Sequence, residues 1–177
     1  MRRVMIVGGP GSGKSTLARV LGEATGLPVH HMDHIHHLPD WQPRPMAEKR
    51  EMARAVTEGD AWIFEGGMSS TYAERAARAD TLIWLDLPVG LRLWRVTARL
   101  WRYYGQNRPD MAEGCTETLG WHTLEFYDWI LRTRRAQRRK IADLVATARP
   151  GLAVHHLRSR RDVAAFSAAH GLQVHKD

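Results

Sequence analysis

Residues 3–19, Arg3-Val4-Met5-Ile6-Val7-Gly8-Gly9-Pro10-Gly11-Ser12-Gly13-Lys14-Ser15-Thr16-Leu17-Ala18-Arg19, decide the fold of this chain. An apolar, β-branched run of strand type leads into Gly8-Gly9-Pro10-Gly11-Ser12-Gly13-Lys14-Ser15, which has the spacing G-x-x-x-x-G-K-[ST]. Glycines in such a loop let the backbone curl until successive N–H groups point inward at phosphate oxygens. Lys14 then reaches the β- and γ-phosphates, the Ser15 hydroxyl ligates Mg²⁺, and Thr16 touches the α-phosphate. Residues 15–21 open a helix whose positive N-terminal end faces the anion. Strand, loop and helix in this order predict a site for ATP and Mg²⁺ built from residues 8–16.

Outward from the loop, strand and helix signals alternate, which predicts an α/β domain with a parallel sheet. Strands are expected at 3–7, 27–32, 62–65, 81–86 and 152–157. Helices are expected at 14–25, 46–58, 89–104, 117–148 and 161–169, the first closed by Gly26 and the second by Gly59. Ligands of open α/β sheets sit at the carboxyl ends of the strands. Asp33, Glu65 and Asp86 end expected strands, so all three belong on the edge that carries the phosphate loop.

The 177 residues suffice for one domain, with 44% hydrophobic and 25% charged content typical of a globular chain. Only four apolar residues separate Met1-Arg2-Arg3 from the glycines, too few for a signal-peptide core. No run approaches membrane-spanning length. The one cysteine, Cys115, excludes an internal disulfide and fits a reducing cytoplasm. Charge is lopsided: residues 1–88 hold 10 Lys/Arg against 11 Asp/Glu, residues 89–177 hold 16 against 8. A basic second half suits a protein handling several phosphates, and it would also suit a nucleic-acid binder.

The stretches IVGGPGSGKSTLAR, LPVHHMD, WIFEGGMSSTYAERAARADTLIWLDLP, LWRVTARLWRYYGQNRPDMAEGC and HHLRSRRDVAAF span nearly the whole chain. Together they resemble the adenylate-kinase-related P-loop proteins known as DNA topology modulation proteins. That resemblance implies a P-loop nucleoside triphosphate hydrolase fold, nucleotide-kinase-like: a five-stranded parallel sheet flanked by helices. It also implies an acceptor region after the second strand and a helical lid at about 89–130 within a single domain, 1–177. Two departures fall where an acceptor would bind. Glu65-Gly66-Gly67 stands where an acidic residue, Gly and Asn are common, and His34-Ile35-His36-His37 follows Asp33 in place of aromatic and aliphatic residues.

Phosphoryl transfer needs positioning and charge neutralisation more than covalent help. Lys14 supplies charge, and Asp33 is placed to orient or deprotonate an acceptor hydroxyl or to hold a metal-bound water. By the resemblance, Glu65 is the metal-side carboxylate beside Ser15; Asp86, which closes Leu82-Ile83-Trp84-Leu85, is the alternative. Arg92, Arg95, Arg99 and Arg102 recur every three or four residues along one helical face. With Arg108 they resemble a lid, and Arg95, Arg99 and Arg108 are the expected donors to the transferring phosphate. Arg158, after the fifth strand, matches the place where nucleotide kinases pack against adenine. The histidines at 30, 31, 34, 36 and 37 point to a polar acceptor pocket, since neighbours on a strand face opposite ways and no zinc-type spacing is present. The expected activity is transfer of the γ-phosphoryl group to a small molecule such as a nucleoside, nucleotide or polar metabolite. The rival is an ATP-binding regulator or NTPase acting on DNA through the basic run at 132–140, without a DNA-binding motif to support it.

Overall fold

The computed structural model describes residues 1–173. Five strands form one parallel sheet: β1 (Arg3–Gly8), β2 (Val29–His31), β3 (Trp62–Glu65), β4 (Thr81–Leu85) and β5 (Ala153–Leu157). Their order is β2-β3-β1-β4-β5, with every neighbouring pair parallel. The central position of β1 follows from its composition. Val4, Met5, Ile6 and Val7 are all fully buried, as a strand covered on both faces requires.

Alternation along β1 builds two cores. Met5 and Val7 join Trp62, Phe64, Trp84 and Ile141 on one face. Val4 and Ile6 join Leu17, Leu21, Ile83 and Phe166 on the other. The first face is covered by α2 (Met32–His36), α3 (Met46–Glu58), α4 (Tyr72–Arg78) and α6 (Trp121–Ala146). The second is covered by α1 (Lys14–Thr25) and α7 (Arg160–Ala169). Helix α5 (Val89–Arg102) runs from β4 past the phosphate loop.

Three local readings need correction. The second strand stops at His31, and Asp33 lies in the first turn of α2 instead of at a strand end. The run 72–78 (YAERAAR), where the sequence reading expects no element, is helix α4; seven residues give too little periodicity to register, and tertiary packing of Tyr72 and Ala76 fixes it. The second long helix begins at Trp121 instead of 117, because Glu117 pairs its backbone with Gln106 and Gly105. The region at 89–130 therefore consists of α5, an irregular segment at 103–120, and the first turns of α6.

Helix α4 matters beyond packing, because it carries Arg75, which is fully buried. Its guanidinium donates to the carbonyls of Phe64 (2.8 Å), Gly66 (3.0 Å) and Gly67 (3.2 Å) and lies 4.2 Å over the Phe64 ring. Burial pulls its pKa down to about 10, and the charge of Glu65 counters that fall. Arg75 thus ties down the backbone on both sides of Glu65. Leucine in its place would leave three buried carbonyls without a donor. Arg75→Leu is expected to lose roughly 3 kcal/mol or more, read as a shift in the urea unfolding midpoint.

Candidate active site

The phosphate loop is held open by glycine geometry. Gly11 and Gly13 adopt φ of 72° and 92°, in the left-handed region that side chains avoid. A Cβ on Gly8 would lie 2.5 Å from the Leu85 carbonyl oxygen of the neighbouring strand. Gly13 starts α1 with no side-chain cap, so the helix's first N–H groups face the loop's concavity. Two polar groups there are under-used. The Ser12 hydroxyl is buried without a hydrogen-bond partner among the described residues, and Lys14 Nζ makes only a long contact, 3.3 Å, to the Gly9 carbonyl. An uncapped helix start, an orphan hydroxyl and a loosely held ammonium together fit a polyphosphate.

Strand register delivers the carboxylates. Ile6 lies opposite Glu65 on β3, and His31 on β2 lies opposite Glu65 from the other side. Glu65 is 2% exposed, and its Oε1 accepts from Ser15 Oγ at 3.1 Å and meets His31 Nδ1 at 2.7 Å. Burial alone would raise this carboxyl, but His31 and the Lys14 charge hold it below its ordinary value. For His31, burial pulls downward, and the Glu65 bond and charge overcome it, so His31 is raised. His30, on the other face, packs edge-on against Phe64.

Asp33 shows the opposite shift. Burial and the neighbouring Glu65 push its carboxyl up, only partly offset by Lys14 and Arg108. A third carboxylate, Asp110, is absent from the site residues expected from the sequence. The irregular segment after α5 carries it to Ser15, and against the upward push of burial, Arg108, Ser15 and Arg99 hold its carboxyl low. The sequence signal was its place in the Arg-Pro-Asp stretch, but no strand end marked it. Asp33, Glu65 and Asp110 thus bracket Lys14 and Ser15 with oxygen ligands, the donor type Mg²⁺ selects. Among the described residues no group of three or more His, Cys, Asp or Glu could hold a metal by itself. Magnesium bound by Ser15 with one or two carboxylates plus substrate phosphates matches this donor set.

The arginines of α5 separate by depth. Arg95 Nη1 donates to the Ser12 carbonyl at 3.2 Å, directly on the loop. Arg99, one turn on, is held low by burial and by Arg108, with Glu117, Asp110 and Asp33 acting in the other direction. Its Nε is buried without a hydrogen-bond partner among the described residues. Arg108 is 3% exposed and ion-paired to Asp110 (3.2 Å) and Glu117, so its charge is shared inside the 103–120 segment. Arg92, passed over as a donor, covers the loop from outside: its Nε donates to the Pro10 carbonyl at 2.9 Å, and its guanidinium occupies the space any Gly9 side chain would need. Asp86 stays away from this cluster, paired with Arg138 (2.9 Å) and His156 (3.0 Å). Arg158 also points elsewhere, into a cavity shared with Asp86 and Arg138. Thr16 is half-buried in the first turn of α1.

Between α2 and the 103–120 segment lies a cavity of about 470 Å³ lined by His34, His37, Arg44, Met111 and Glu113. Burial, His36, Lys49 and Arg108 depress His37 to about 4, so it is neutral at physiological pH. The cavity begins one residue beyond Asp33.

The His31–Glu65 pair gives a signed pH dependence. A raised histidine contributes stability that is complete below its unfolded value of 6.5 and is lost as pH climbs through its folded value. His31→Gln should therefore destabilise the protein more at about pH 5.5 than at about pH 9, measured by urea unfolding at both pH values.

No family model and no curated protein matches the chain. Solved structures do. It is similar to a shikimate kinase from Bacteroides thetaiotaomicron at 20% identity and TM-score 0.54, covering 97% of this chain and 99% of that one. A sugar kinase from Janibacter sp. HTCC2649 aligns at 15% identity and TM-score 0.53, covering 97% and 95%. A shikimate kinase from Acinetobacter baumannii in complex with shikimate aligns at 16% and 0.52, covering 97% and 94%. With the loop, the strand order and the flanking helices, these matches establish that the chain has a P-loop kinase-like fold.

Proposed function

We propose that the chain is an ATP- and Mg²⁺-dependent phosphotransferase acting on a hydroxyl or phosphate of a small polar molecule. The observation that carries this reading is the convergence of Lys14, Ser15, Glu65, Asp110 and the up-shifted Asp33 at one end of the sheet. Kinase-type structural neighbours support it, and no helix among the described residues is long and apolar enough to cross a membrane. The buried thiol of Cys115 has no disulfide partner, which fits a cytoplasmic setting.

In this reading residues 8–16 and Lys14 hold the triphosphate, and Ser15 with Glu65 and Asp110 hold the metal. Bound Mg²⁺ supplies charge neutralisation at the β- and γ-phosphates. Asp33, whose carboxyl is pushed up by burial and by Glu65, accepts the proton of an acceptor hydroxyl seated in the cavity of His34, His37 and Arg44. Arg99 and Arg95 stabilise charge on the moving phosphoryl group, and the unpartnered Nε of Arg99 gains an acceptor there. Arg108 positions Asp110. A nucleoside, nucleotide or sugar-like acceptor meets the cavity's mixture of imidazole, guanidinium and carboxylate.

Two substitutions test the reading. Lys14→Ala should abolish acceptor-stimulated ADP formation while leaving the unfolding midpoint unchanged. Asp33→Asn should retain MgATP binding and lower kcat by about 10²–10⁴-fold. A screen of nucleosides, nucleotides and hydroxylated metabolites, with a no-acceptor control, reads both. ADP formation indifferent to every acceptor would defeat the proposal in favour of an NTPase.

A further inference from the structure

Beside the phosphate loop, at the start of α5, lies a cavity of about 600 Å³. Its walls are the β4–α5 connection, the middle of α6 and the start of α7. Five arginines line it: Arg92, Arg134, Arg135, Arg138 and Arg158. Two aspartates, Asp86 and Asp162, face the same space. They offset only part of the excess, Asp86 against Arg138 and Asp162 against Arg158. Asp86 is shared between Arg138 and His156. The Asp162 carboxylate accepts the backbone N–H groups of Arg158 (2.8 Å) and Ser159 (3.0 Å).

The cations are positioned but incompletely used. His156 stacks on Trp84 at 3.9 Å, fixing Asp86, and through it Arg138, against the sheet edge. Arg134 turns one guanidinium nitrogen to the Leu131 carbonyl. Arg92 belongs to both walls, bonded to Pro10 on one side and open to the cavity on the other. Lys14 and Ser15 are absent from the lining, so this space is separate from the loop's concavity.

We infer that this cavity is a second anion site, which binds the di- or triphosphate group of a small molecule independently of the phosphate loop. Guanidinium forks match phosphate oxygens in pairs, which single carboxylates do not exploit as fully. Five arginines against two aspartates leave an excess of three positive charges, which calls for a ligand of several negative charges. The cavity's size lies in the range of small-ligand pockets, and three elements contribute its walls.

Inorganic tripolyphosphate is the probe, titrated calorimetrically into Lys14→Ala protein, whose loop is weakened for phosphate. Binding near one-to-one is expected there. Adding Arg134→Ala and Arg135→Ala should weaken it by about tenfold or more. Absence of heat with Lys14→Ala protein, or equal affinity with and without the two α6 arginines, would overturn the inference. So would a short oligothymidylate that binds through those arginines more tightly than tripolyphosphate at the same ionic strength, since it would make the surface a nucleic-acid site. The inference goes beyond the phosphotransfer reading and is separable from it. MgATP titration of Arg134→Ala/Arg135→Ala protein with Lys14 intact should give unchanged affinity at the loop; a loss there would overturn the independence of the two sites, whereas absence of MgATP binding to the unsubstituted protein would count against the kinase alone.

Discussion

A carboxylate buried to 2% exposure cannot remain charged without partners, and the arrangement of Glu65 answers that constraint. Its Oε1 is met by Ser15 from α1 and His31 from β2, with Lys14 supplying charge. These partners come from two elements, α1 and β2, that meet at Glu65 because β3 lies between β1 and β2. The backbone that presents Glu65 is held in turn by Arg75, a buried cation bonded to three carbonyls. A one-residue slip of β3 would send Glu65 to the opposite face and strand both charges. The strand register and the polar cluster therefore enforce one another.

The same cluster separates two carboxylates by environment. Glu65 lies under hydrogen bonds and stays ionised, whereas Asp33, beside it, is pushed up by burial and by Glu65 itself. Neighbouring acids driven in opposite directions is how a site keeps one group as a fixed charge and another as a proton acceptor. Asp110 completes the set from a segment without regular structure, and Arg108 is the cation that keeps it there. The lid arginines have thus divided their work, Arg95 bonded to the loop backbone and Arg108 bonded to acids.

Helix α5 links the phosphate loop to the arginine-lined cavity beside it. Arg92 and Arg95 are three residues apart, yet one covers the outer wall of the loop and the other its helix side. Their contacts to Pro10 and Ser12 rest on backbone carbonyls, which hold the loop's shape whatever lies in its concavity. Glycine at positions 9 and 11 is what lets α5 approach so closely.

The sequence alone determined the phosphate loop, the parallel α/β class and the acids at the ends of β3 and β4, because each rests on a contiguous pattern of spacing and burial. Lys14, Ser15 and Glu65 were legible for that reason. The role of Asp86 was not: β3 and β4 both deliver an acid to the same edge, and only the tertiary structure pairs one with Ser15 and the other with Arg138. Asp33 was identified but misplaced, since a three-residue strand and a five-residue helix leave no periodicity to tell them apart. Asp110, Arg75 and the division among the α5 arginines were decided entirely in three dimensions. Their partners lie 8 to 83 residues away in the chain or on irregular backbone, and no local pattern encodes a contact that folding alone brings about.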